Sequence, residues 1–90
     1  MIPIYIAAFD GDWPKYFNSL ENTFKERVAK KMAKILEYPK KRHLGQKANF
    51  FVDEAGQHRI LYRVFDDANE VRFYFVGNHK EYEKWYKTYF

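Results

Sequence analysis

The 90-residue sequence contains no cysteine. Disulfides, thiolate-bound metals and thiol catalysis are therefore excluded, and the absence fits a reducing compartment. No apolar run approaches the roughly 20 residues that a membrane-spanning helix requires. No basic region precedes an apolar core at the N-terminus, so no signal peptide is expected, and the expected location is cytoplasmic. Repeats, linkers and low-complexity tracts are also missing. The three histidines, His43, His58 and His79, lack ligand-type spacing, so neither a metal nor any other cofactor is expected.

What the chain has in quantity is aromatic side chains. Hydrophobic residues make up 47% of it and aromatics 21%. That composition is far from a disordered one, and large rings bury much area per residue. A chain of this length is read as one domain, residues 1–90, with a core of its own. The net charge is +4, but its placement says more. Between Glu21 and Lys47 nine Lys and Arg stand against three Glu; the remainder carries seven against nine acidic residues. Such segregation suits a polyanion or an acidic protein partner, although a solvated helix face accounts for lysines equally well.

In chain order, residues 2–9 are apolar, β-branched and aromatic, and read as a buried strand. Asp12 is placed to cap a short helix with Pro14 in its first turn, running to about Leu20. Thr23 and Glu26 have capping-box spacing for a second helix. Phe24, Val28, Met32, Ile35 and Leu36 form its apolar stripe, with Ala29 and Ala33 beside it, and Pro39 stops it. A basic loop over residues 38–46 follows. Residues 47–52 read as a strand and residues 53–56 as a hairpin turn. Two more strands, 58–65 and 71–76, flank an Asp/Asn-rich reversal. From about Asn78 the chain is a helix or an irregular tail. The fold class is α+β: an N-terminal strand, a helical hairpin and a three-stranded antiparallel meander in one sheet.

Alternation separates Arg59, Leu61, Arg63 and Phe65 from His58, Ile60, Tyr62 and Val64. On the next strand Arg72, Tyr74 and Val76 oppose Val71, Phe73 and Phe75. One face is thus wholly apolar and is expected to pack on the helices. The other mixes arginines with aromatic and apolar side chains. Cations among flat rings suit RNA, with its phosphates and unpaired bases.

Three segments together resemble the RelE/ParE toxin superfamily, especially its RelE and YafQ-type ribosome-dependent endoribonucleases. They are Glu37-Tyr38-Pro39 with the basic loop and Leu44-Gly45, then His58-Arg59-Ile60-Leu61-Tyr62-Arg63-Val64, and last Val76-Gly77-Asn78-His79-Lys80-Glu81-Tyr82. The likeness spans nearly the whole chain and is weakest before Thr23. It implies attack of a ribose 2′-hydroxyl on the adjacent phosphate of mRNA on the ribosome, and a cognate antitoxin that covers basic surface or displaces the tail. By position, Arg59 matches the arginine that holds the phosphate. His79 matches the site of an arginine or histidine and is a general acid or base. Tyr82 or Tyr86 takes the place of the trailing aromatic. Lys40, Lys41, Arg42, Lys47 and Arg63 are assigned to RNA binding. The sequence departs from the family where RelE members carry two lysines: those positions fall on Phe50 and Val52, and a family acidic residue falls on Gln57. No general base beyond His79 stands out.

Other accounts of the same residues stay open at this stage. Arg59 and Arg63 also suit an exposed sheet face, and His79 with Asn78 suits a helix cap. Tyr82, Trp85, Tyr86 and Tyr89 have the spacing of a core-packing stripe. A ParE-like gyrase inhibitor without nuclease activity, or a non-catalytic RNA- or protein-binding domain, shares these features.

Overall fold

A computed structural model of the chain describes residues 5–39 and 50–89. Its elements run β1 (Ile6–Phe9), α1 (Trp13–Asn18), α2 (Asn22–Glu37), β2 (Phe50–Ala55), β3 (His58–Phe65), β4 (Glu70–Asn78) and α3 (His79–Tyr89). The four strands form one sheet in the order β1-β4-β3-β2. β2, β3 and β4 are the antiparallel meander, and β1 joins it in parallel beside β4. The α+β architecture is thus the expected one, and the C-terminal segment is a helix.

Local chemistry explains the breaks. α2 ends at Glu37, two residues before Pro39, whose ring disfavours helical backbone at Tyr38. β2 and β3 are joined by Gly56-Gln57, with Ala55 paired to His58. Gly56 has φ +64°, a conformation that L side chains rarely adopt. The hairpin turn therefore lies at residues 56–57, and the 53–56 turn read from the sequence is corrected: Asp53 to Ala55 remain in the strand. A 3₁₀ turn over Asp66–Ala68 and a left-handed Asn69 (φ 50°) reverse the chain into β4.

Two expected caps are not formed. Asp12 makes no side-chain cap on α1, and its own N–H donates instead to Asp10 Oδ2 at 3.2 Å. α2 begins at Asn22 with Glu21 as its cap residue, which places Thr23 inside the helix rather than in a capping box. β1 also differs from the buried strand expected over residues 2–9, of which residues 2–4 lie outside those described. Ile6 is 70% exposed and Phe9 50%, because β1 is the end strand of the sheet order.

The stripe of α2 packs as its period dictates. Val28 and Ile35 are fully buried, and Met32 and Leu36 pack against the same core, with Trp13 of α1 and Ile60, Tyr62 and Phe73 of the sheet. Ala29 and Ala33 face solvent, not the core edge. Tyr62 spans this core and donates its hydroxyl to the Pro39 carbonyl at 2.6 Å, tying the end of α2 to the sheet.

The largest departure from simple alternation lies in β4. Leu61 pairs with Phe75 and Tyr62 with Phe73, so Tyr74 is an extra residue. Such a bulge shifts the phase of every residue beyond it. Phe75, expected beside Phe73, turns to the other face, and Val76 takes the core position instead. On that second face Val52, Leu61 and Phe75 pack under Tyr82 and Trp85 of α3. The sheet therefore has apolar cores on both sides. The arginine-bearing face is not open along its length, since α3 crosses its middle.

Candidate functional site

The strand register assembles a row across the second face: Glu54 opposite Arg59, and Arg59 opposite Gly77. Gly77 has no side chain, and a Cβ there lies only 2.7 Å from Phe75 Cζ and 3.0 Å from Glu81 Cβ. This close approach lets α3 begin immediately beyond the sheet. Asn78 ends the strand and caps α3 in a reciprocal capping box. Its Oδ1 accepts the Glu81 N–H at 2.9 Å, and Glu81 Oε1 accepts the Asn78 N–H at 2.8 Å. His79 is the first residue of the helix. It does not cap α3, and the cap turns it out beside the Arg59 row.

Glu54, Gly56, Gln57, His58, Arg59, Asn78, His79 and Lys80 line a cleft of about 620 Å³ here. The Arg59 guanidinium lies over the Tyr82 ring, 4.9 Å from its centroid, and its Nε is 4.0 Å from Glu54 Oε1. The Tyr82 ring is buried by Trp85 and the sheet, so the cation rests on a fixed apolar support. His79 is largely exposed, and its Nε2 lies 3.0 Å from Glu83 Oε1 one helical turn on. His58 belongs to the opposite sheet face. It is buried with its ring 4.6 Å from that of Phe24, and its Nδ1 has no hydrogen-bond partner among the described residues.

Arg59 and His79 thus share one cleft, with Tyr82 as the floor under Arg59. Tyr86 does not line the Arg59–His79 cleft: its ring is 6.0 Å from that of Tyr82, and the two line a neighbouring hollow with Glu83 and Lys87. Arg63 is on the Arg59 face but four residues along the strand, roughly 13 Å away at ~3.3 Å per residue, with Leu61 between them under α3. Lys40, Lys41, Arg42 and Lys47 lie outside the described residues. Phe50 and Val52 pack in or against the α3-side core and bring no charge.

Glu54 is the residue the sequence reading missed. It was assigned to a turn, whereas it is a strand residue directly across from Arg59. The signal lay in the hairpin: a two-residue Gly56-Gln57 turn pairs 55 with 58 and 54 with 59. The cleft therefore holds a carboxylate, a guanidinium and an imidazole. Among the described residues no group of three His, Asp or Glu side chains is placed to hold a metal ion. None of the described helices is long and apolar enough to cross a membrane.

No protein-family model matches the chain, and no curated protein does. Solved structures do. The chain is similar to a chain of the intact E. coli RelBE toxin–antitoxin complex, with 26% identity over 82% of this chain and 95% of that one and a TM-score of 0.76. Against a mutant of the E. coli RelE toxin in the free state the identity is 25%, over 89% and 88% of the two chains, with a TM-score of 0.79. A RelBE toxin–antitoxin complex from Mycobacterium tuberculosis matches at 22% identity over 88% and 94%, with a TM-score of 0.74, and shows the same fold. With its N-terminal strand, helices, four-stranded mixed sheet and C-terminal helix, the chain has the fold of the RelE toxin superfamily.

Proposed function

We propose that this protein is the toxin of a type II toxin–antitoxin pair and that it cleaves mRNA on the ribosome. The observation that carries the reading is the cleft that joins Glu54, Arg59 and His79 on a fold shared with RelE of E. coli. Cleavage proceeds by attack of a ribose 2′-oxygen on the adjacent phosphorus, with rupture of the bond to the 5′-oxygen and a 2′,3′-cyclic phosphate as product. The Glu54 carboxylate takes the 2′ proton, and protonated His79 delivers one to the departing 5′-oxygen. Arg59 faces the charge that develops on the pentavalent phosphate, held flat by Tyr82. Its contact with Glu54 is loose and partly exposed, so phosphate oxygens displace it readily. Tyr86 stacks on a base beside the cleft, and Lys40, Lys41, Arg42 and Lys47 contact the RNA backbone. No cofactor is used.

The partner in the resting state is a cognate antitoxin that covers the basic surface or displaces α3. In its absence the protein acts in the cytoplasm. The test is induction of the wild type and of Arg59→Ala/His79→Ala in growing cells, with mapping of mRNA 5′ ends. Growth arrest with new ends inside translated frames, absent from the double variant, is the expected result. Arrest without new ends overturns the nuclease reading and leaves a ParE-like toxin that binds gyrase. No arrest from well-folded protein leaves a binding domain.

A further inference from the structure

Beyond α3, the second sheet face carries another cationic site that the cleft chemistry does not use. Arg63 stands directly opposite Arg72 on β4 and opposite Phe50 on β2. Its guanidinium lies between two rings, 5.1 Å from the centroid of Phe50 and 5.1 Å from that of Phe65. Arg72 also lies over the Phe65 ring, at 5.8 Å. Two arginines facing each other across neighbouring strands repel, and stability alone does not select such a pair. Glu70 offsets Arg72, with Oε2 3.0 Å from Nη2 and 3.1 Å from Nε. Arg63 has no such partner among the described residues: it makes no ion pair with them, and its buried Nε finds no hydrogen bond among them.

We infer that Arg63, clamped between Phe50 and Phe65 and facing Arg72, forms a second phosphate subsite for single-stranded RNA. It lies on the far side of α3 from Arg59. The rings hold the guanidinium plane in place before any ligand arrives, so little side-chain entropy remains to be lost on binding. The outer nitrogens of the fork reach a phosphate, and Arg72 on the neighbouring strand adds positive charge beside it. The separation from Arg59, about 13 Å along the strand, matches a strand of RNA that engages both arginines through different phosphates. The subsite rests on the RNA reading given above but not on cleavage, and it names which part of the face holds the strand.

The experiment is fluorescence anisotropy of a labelled oligouridine of about twelve nucleotides, within the range of single-strand binding sites, on full-length protein carrying His79→Ala. Arg63→Gln is expected to weaken binding about tenfold and to lower the log–log salt slope by about 0.7, the loss of one phosphate contact. Arg59→Ala weakens binding separately, and the two effects multiply because the sites do not touch. Arg63→Lys keeps the charge without the planar fork, so the salt slope survives while affinity falls a few-fold; this variant serves if Arg63→Gln is poorly folded. Unchanged affinity and slope in folded Arg63→Gln overturns the subsite, as does a loss seen only with an acidic peptide probe, which assigns the face to a protein partner. Wild-type RNA binding that is sensitive to Arg63, without mRNA cleavage in cells, overturns the nuclease reading and leaves the subsite standing.

Discussion

Glu54 stands directly across the β2–β3 hairpin from Arg59, with its Oε1 4.0 Å from Arg59 Nε. The carboxylate sits beside the Arg59 guanidinium, which rests on the Tyr82 ring. Replacing Glu54 with Gln keeps the size but removes the negative charge and the proton acceptor proposed for the 2′-hydroxyl. Glu54→Gln is expected to lower the single-turnover cleavage rate on mRNA-programmed ribosomes about 10²–10⁴-fold. Binding of the same mRNA is expected to hold or to tighten slightly as a negative charge disappears. Equal rates for variant and wild type remove Glu54 from the mechanism.

Gly77 is held to its identity by space. A methyl group there meets Phe75 Cζ at 2.7 Å and the Glu81 side chain at 3.0 Å, closer than side-chain carbons pack. Gly77→Ala is expected to destabilise the fold by about 1–3 kcal/mol, read as a lower urea midpoint with unchanged slope. Activity is expected to fall further than stability, because the clash acts on the helix start that carries His79.

The Asn78–Glu81 capping box aims the first turn of α3. Asn78→Ala is expected to cost about 1 kcal/mol, while Asn78→Asp, a capping residue of the same shape, retains most of it. Hydrogen exchange at the first turn of α3 checks this: faster exchange there in the alanine variant, with the sheet unaffected, is the expected pattern.

Tyr62 links stability to pH. Burial, and secondarily the charge of Asp53, push its phenol well above the ordinary value of 10.0. The unfolded chain therefore releases this proton first as pH rises. The contribution to stability is complete below pH ~10 and declines above it, by up to about 1.4 kcal/mol per pH unit, until the folded-state value is reached. Tyr62→Phe leaves the Pro39 carbonyl without its donor and is expected to cost about 1–3 kcal/mol at neutral pH. Denaturant melts at pH about 7 and about 11 separate the two effects: the difference between wild type and variant should shrink at the higher pH. A constant difference excludes Tyr62 as the titrating group.

Much of this was legible without coordinates. The 28/32/35/36 stripe buried as its period required, Pro39 ended α2, and the runs around residues 60 and 73 paired antiparallel. These features depend on neighbours within one turn or one strand, so composition and spacing determine them. Arg59 and His79 stand out by their place in chain order, and both line the cleft. The capping signal was present too, but at Asn78 and Glu81 rather than at Thr23 and Glu26.

Tertiary structure alone decided what those elements meet. The extra residue at Tyr74 reversed the phase of β4 and sent Phe75 to the face that α3 covers, a shift that alternation cannot reveal because it exists only against a partner strand. Cross-strand register put Glu54 beside Arg59 and Arg63 against Arg72, pairs separated by anything from five to nine residues in sequence. Position at the end of the strand order left Ile6 and Phe9 exposed although their residue types suit a core. Sequence by itself determined α2 and the two strand runs around residues 60 and 73, since those follow from local sterics and periodicity. The chemistry of the cleft is a matter of neighbours across strands, and only the folded register selects them.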